Sequence, residues 1–158
     1  CVLVGGVNDD ELRPLAELAR DRDLTVRFIE LMRMGECADW PRGRFVSADE
    51  VLSAVPELAP VGGQGVSELY HAPGWKGNVG LIRPMTHRFC GSCDRIRVTA
   101  DGRLKPCLHS ATEVNLRGLV GQELVDAMRA GIAAKPRGHR MDDGRASDSL
   151  RAMNEIGG

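Results

Sequence analysis

The chain lacks any apolar run long enough to cross a bilayer, and its first residues do not have the layout of a secretory signal. It also lacks an even, regularly spaced set of cysteines. The 5 present are clustered unevenly, which fits an extracellular disulfide framework poorly and a reducing cytoplasm better. Net charge is nearly absent, −1 at neutral pH, which argues against a bulk electrostatic grip on nucleic acid or a membrane. There is no internal repeat, and His71, His87, His109 and His139 are too scattered to make a catalytic set. An initiating methionine is missing too. Cys1-Val2-Leu3-Val4 already has the composition of a buried strand, so the chain is expected to be one piece of a larger protein.

What is present is enough, in 158 residues, for one ordinary core or two small ones. After the opening strand, Asn8 or Asp9 is placed to cap a helix, and Leu12, Leu15, Ala16, Leu18 and Ala19 recur at helical spacing over residues 10–21. Leu24 to Leu31 is rich in β-branched and apolar residues. Strand, helix, strand at this spacing is a βαβ unit and hence a parallel sheet. Met32 to Phe45 has no period and is expected as a loop. Ser47-Ala48-Asp49-Glu50 has the form of a capping box, opening a short helix that Pro56 limits. Gly62-Gly63-Gln64-Gly65 suggests a loop and a change of domain. Short strands are expected at 68–71 and 79–82, and a hairpin around Asp101-Gly102. A last helix is predicted over 122–134, and the tail from Pro136 would by itself be assigned as disordered.

The chemistry concentrates at Cys90-Gly91-Ser92-Cys93, followed after thirteen residues by Cys107. A closed structural zinc site takes four ligands, and a cubane iron–sulfur cluster has four irons, each usually held by one thiolate. Three thiols therefore leave one coordination position for something else, unless His87, His109 or Cys37 completes a zinc site. On spacing alone both metals stay open. A redox CxxC would stand at a helix start, whereas this one precedes a hairpin. Cys1 and Cys37 belong to no motif and read as structural.

Charge is distributed to match. Residues 1–57 carry 12 acids against 7 arginines (−5), whereas residues 83–117 carry 6 arginines and 1 lysine against 3 acids (+4). Arg95, Arg97, Arg103 and Lys105 all lie between the second and third cysteines, as expected of an anion pocket. Arg95 and Arg97, two apart on an expected strand, would share one face. An isolated pair of this kind is usually a solvated edge. Beside a metal-binding cysteine, paired guanidinium forks suit phosphate or the carbonyl edge of a purine instead.

The run from Phe89 through Cys90, Cys93, Arg95, Ile96, Arg97 and Lys105-Pro106-Cys107 to Leu108 resembles the C-terminal cluster motif of the GTP 3′,8-cyclase family. These are radical S-adenosylmethionine enzymes of molybdenum cofactor biosynthesis. Gly6-Val7-Asn8-Asp9, Arg27-Phe28-Ile29-Glu30-Leu31-Met32, Lys135-Pro136 and the ending Met153-Asn154-Glu155-Ile156-Gly157-Gly158 extend the likeness in order. The resemblance implies an α/β fold: the C-terminal part of a partial TIM-like (βα) barrel over residues 1–58, a small α+β iron–sulfur domain over 59–135, and an extended tail over 136–158. It implies that Cys90, Cys93 and Cys107 hold a [4Fe–4S] cluster whose unliganded iron contacts the guanine of GTP. Arg95, Ile96 and Arg97 would line the GTP site, Arg27 would assist on the triphosphate side, and Met32 would contact S-adenosylmethionine. Gly157 and Gly158 would reach the active site, where a radical abstracts hydrogen from the GTP ribose. Asp94 stands where the family pattern leads one to expect asparagine. The family's Cys-x3-Cys-x2-Cys is absent from this sequence, so an N-terminal barrel half is the implied partner and the chain alone is expected to be inactive. A homodimer, a split enzyme and a zinc-stabilised interaction domain stay open as alternatives.

Overall fold

Parallel pairing follows from the first connection in the chain. In the computed structural model, which describes residues 1–141 and 145–156, β1 (Val2–Leu3) leads into α1 (Leu12–Ala16), a 3-10 turn (Glu17–Ala19) and then β2 (Thr25–Glu30). β1 and β2 run parallel, with Val2 opposite Ile29. Leu12, Ala16 and Ala19 are buried, the stripe that the helical spacing predicts. Neither expected cap forms. Asn8 Oδ1 instead accepts from the Val4 amide at 2.9 Å, and Asp9 Oδ1 from the Gly6 amide at 2.7 Å, so both side chains organise the turn after β1. Gly5 is required there: a Cβ would stand 2.4 Å from the Gly43 carbonyl oxygen.

β3 (Ala59–Gln64), β4 (Ser67–His71) and β5 (Asn78–Ile82) complete a five-stranded mixed sheet in the order β1-β2-β5-β4-β3. β5 joins β2 in parallel, whereas β4 and β3 add on antiparallel. The glycine run expected as a loop and a change of domain is thus the end of β3 and its turn into β4, with Gly65 at φ +65°. Pro60, Gly62 and Gly63 are tolerated in β3 because it is the outer strand, where a missing donor or side chain costs least. α2 (Asp49–Ala54) covers the sheet and stops before Pro56, as predicted. Ser47 acts one step differently from a capping box: its Oγ accepts from the Asp49 amide at 3.2 Å. Leu3, Phe28, Val51, Val79 and Leu81 are at most 1% exposed, and each such side chain contributes about 1.5–3 kcal/mol of burial.

Glu30 is a polar group inside this core, 0% exposed. Its carboxylate accepts from the amides of Ala48 (3.3 Å), Met85 (2.9 Å) and Thr86 (3.0 Å) and from the Thr86 hydroxyl. It therefore joins β2, the start of α2 and the segment after β5.

The second sheet is antiparallel and small, β6 (Arg97–Val98), β7 (Arg103–Lys105) and β8 (Val114–Asn115) in sequential order. α3 (Gly121–Ala133) packs on it through Gly131, where a Cβ would meet a Leu104 methyl at 2.3 Å. The chain divides into two units: Cys1–Leu31 with Pro41–Arg88, and Met32–Trp40 with the stretch from Phe89 onward. Among the described residues no helix is long and apolar enough to cross a membrane.

The described part of the tail, expected as disordered, is held by polar contacts that a hydrophobic period does not reveal. The Ser147 amide donates to the Arg33 carbonyl at 2.7 Å, Ala152 lies against Gly35, and α4 (Met153–Ile156) ends on Ile156, 0% exposed.

Candidate metal and anion site

The hairpin between the cysteines is built by Thr99. Its hydroxyl donates to Asp101 Oδ1 at 2.5 Å and accepts from the Arg103 amide at 3.0 Å, while the Gly102 amide reaches the Thr99 carbonyl at 2.9 Å. Gly102, at φ +77°, takes the left-handed conformation the loop needs. Arg97 then faces Lys105 and Val98 faces Leu104 across the ladder. One arm leads back to Cys93 and the other forward to Cys107. Cys90–Ser92 forms a 3-10 turn, with the Cys93 amide donating to the Cys90 carbonyl at 3.2 Å.

A residue far along the sequence ties the two arms together. The Lys135 ammonium donates to the Arg95 carbonyl at 2.7 Å and to the Pro106 carbonyl at 2.8 Å, and lies 3.7 Å from Cys93 Sγ. Three residues on, Gly138 packs against Cys90, its missing Cβ position 3.6 Å from that sulfur. Cys90, Cys93 and Cys107 are half-buried, unbridged thiols.

Among the described residues, no three His, Cys, Asp or Glu side chains are grouped closely enough to hold a single metal ion. A cubane places a separate iron behind each thiolate, so its cysteines need not converge on one point as zinc ligands must. Three unbridged thiols on two tied arms are a donor set that could hold such a cluster.

The four cations of the insert separate into two roles. Lys105 is buried, its ammonium donating to the Ser110 carbonyl and standing 3.6 Å from Glu113; burial pulls its pKa down against the pull of Glu113. Arg103 lies 3.5 Å from Asp101 and 3.9 Å from Glu113. Both are taken up inside the unit. Arg95 and Arg97 carry no ion pair or side-chain hydrogen bond among the described residues. Arg95 is exposed and Arg97 half-buried, so these two are available to an anion. The expected shared strand face holds for Arg97 alone, because β6 starts there and Arg95 precedes the ladder. Ile96 between them is half-buried.

His109 is buried beside this face. Its Nδ1 lies 3.2 Å from Ser147 Oγ, and its ring meets that of His139 edge-on, 5.2 Å between centroids. Burial first, then the charges of His139, Arg97 and Lys105, push its pKa down to about 4, so the imidazole is neutral at neutral pH. The tail is pinned nearby by Arg151, which donates to both oxygens of Glu113 at 2.6 and 3.0 Å and to Asp101 at 2.8 Å. That guanidinium holds both carboxyls below their ordinary range, with Thr99 adding to the effect on Asp101. Acids with depressed folded pKa values stabilise the fold above the ordinary carboxylate range and lose that contribution as pH falls through it. The tail contacts are therefore expected to weaken on acidification below about pH 4, read as faster proteolysis within 145–156. Arg151→Gln should flatten that pH dependence.

The remaining expected site residues fall in both units or outside the described residues. Arg27 is exposed on β2 in the first unit, opposite Gly80, whose missing side chain leaves it room. Met32, half-buried, lies in the second unit, and its carbonyl accepts from the Met34 amide at 2.9 Å. Gly157 and Gly158 lie outside the described residues. Lys135, Gly138 and Arg151 carry contacts at the site that nothing near the cysteines in sequence announces.

Comparison with known proteins places the chain in a family. Residues 24–141 match the family described as Molybdenum Cofactor Synthesis C. A protein of Alkaliphilus metalliredigens named GTP 3′,8-cyclase is 44% identical over 162 aligned positions, covering 99% of this chain and 51% of that protein. Proteins of the same name from Alkaliphilus oremlandii and Peptoclostridium acidaminophilum are 39% and 43% identical, with 99% of this chain covered. The chain spans about half the length of these curated relatives. It belongs to the Molybdenum Cofactor Synthesis C family.

Proposed function

We propose that this chain is the C-terminal, GTP-binding half of a GTP 3′,8-cyclase, in which Cys90, Cys93 and Cys107 hold a [4Fe–4S] cluster. The observation that carries the proposal is the hairpin that brings Cys93 and Cys107 back toward each other, tied by Lys135 through the Arg95 and Pro106 carbonyls. When bound, the cluster would supply a Lewis-acidic iron with a coordination position left for substrate. The chain's own residues do the rest of the recognition. Arg95 and Arg97, without an ion pair or side-chain hydrogen bond among the described residues, offer guanidinium forks to phosphate oxygens or a purine carbonyl edge. Arg103 and Lys105 serve the pocket indirectly, by keeping Glu113 and Asp101 compensated.

On this reading the parallel strands β1 and β2, within residues 1–58, belong to the last part of a (βα) barrel whose earlier strands and S-adenosylmethionine-cleaving cysteines lie in the rest of the protein. Arg27 would serve the triphosphate, Ile96 the purine, Met32 S-adenosylmethionine, and Gly157-Gly158 the reacting end. Unbridged thiols accord with a cytoplasmic setting.

The test is GTP binding to the anaerobically reconstituted chain. Arg95→Ala and Arg97→Ala should each weaken binding by about 1.5–3 kcal/mol, the range for charged hydrogen bonds, and the chain alone should form no cyclised product from GTP and S-adenosylmethionine. Wild-type affinity in both variants would overturn the assignment of the anion site. Cyclised product from the chain alone would overturn its reading as half an enzyme.

A further inference from the structure

We infer that Lys135 is a positioning residue for the cysteine triplet, presetting the separation of its two arms and supplying an N–H···S hydrogen bond to Cys93; this rests on the cluster reading above. An ammonium group has three N–H bonds and no acceptor. Two are spent on the Arg95 and Pro106 carbonyls, at 2.7 and 2.8 Å, and the third faces Cys93 Sγ at 3.7 Å. Lys105 and Arg103 do not take this place, since Glu113 and Asp101 hold them.

The root of the side chain is fixed as well as its tip. Lys135 follows Ala134, the C-cap of α3, its amide donating to the Ile132 carbonyl at 3.1 Å, and α3 is seated on β7 through Gly131 against Leu104. Gly138 then brings the same segment against Cys90. One short stretch, 135–138, thus reaches the CxxC turn, the arm before β6 and the arm after β7.

Two consequences follow from the charge. Three thiolates brought together repel one another, and a fixed ammonium beside one of them lowers that cost. Hydrogen bonds to cluster sulfurs also help set the reduction potential. A positive donor on Cys93 favours the more negative, reduced state, so its removal should shift the midpoint to more negative values.

The experiment reconstitutes the full chain anaerobically with ferrous iron and sulfide, as wild type and as K135M. Expected are loss of iron from K135M to a chelator roughly tenfold or more faster, the usual scale for a ligand-supporting partner, and a more negative midpoint potential. K135M with wild-type iron retention and potential overturns the role of Lys135. A wild-type chain that gathers no iron and sulfide overturns the cluster reading itself, a separate outcome. If circular dichroism shows K135M unfolded, K135Q, uncharged but polar, is carried through both measurements, and wild-type values there overturn the inference equally.

Discussion

Replacing Cys107 with alanine is expected to strip the reconstituted chain of most of its iron and sulfide, while Cys37→Ala leaves both unchanged. The CxxC turn retains two thiolates in the Cys107 variant, too few to hold a cubane already short of one protein ligand. The fold should hardly notice. Cys107 is half-buried and follows β7, outside the ladder formed by Arg97–Lys105 and Val98–Leu104. Apo stability is therefore expected to move by less than about 1 kcal/mol, so metal loss and unfolding separate cleanly. Iron and sulfide analysis with a thermal melt of the apo form decides the matter. Full cluster content without Cys107, or its loss without Cys37, would show that the ligand set has been drawn wrongly.

Glu30→Ala is expected to be the most damaging single truncation in the first unit, lowering stability by about 3–5 kcal/mol. The carboxylate is the common acceptor for three backbone amides and one hydroxyl. Each donor left dry costs about 1–3 kcal/mol, and water can repair those near the exposed Thr86 more readily than the one at buried Ala48. Glu30→Gln keeps the volume and one acceptor oxygen, so it should recover part of the loss. Urea unfolding supplies the measurement; an alanine variant with the wild-type midpoint would mean that this carboxylate does not hold the segment after β5.

The elements that could be anticipated are those whose cause is local. The β1–α1–β2 unit is written in adjacent apolar periods, the hairpin in Asp101-Gly102, and the end of α2 in Pro56. Local rules misplaced β3, because proline and glycine argue against a strand without saying whether that strand is an edge. They also gave Asn8 and Asp9 to a helix cap when the turn after β1 claimed them first. At the site, the turn between Cys93 and Cys107 was legible from Asp101-Gly102, but the division of the four cations was not. Which of them are neutralised depends on Glu113 and on Arg151, 38 residues apart in sequence and joined only by folding. The same holds for Lys135, which appears in the sequence as one lysine before a proline.

The segment Met32–Trp40 is counted with the second unit although both of its flanks belong to the first. The backbone therefore passes between the units three times, at 31/32, 40/41 and 88/89. A single proteolytic cut or stop codon at the last crossing cannot harvest either piece whole. The front piece would carry Arg33 and Gly35 away from Ser147 and Ala152, which they contact, and the rear piece would lose the segment its tail rests on. Dissecting this protein calls for circular permutation or a graft of nine residues, not for truncation.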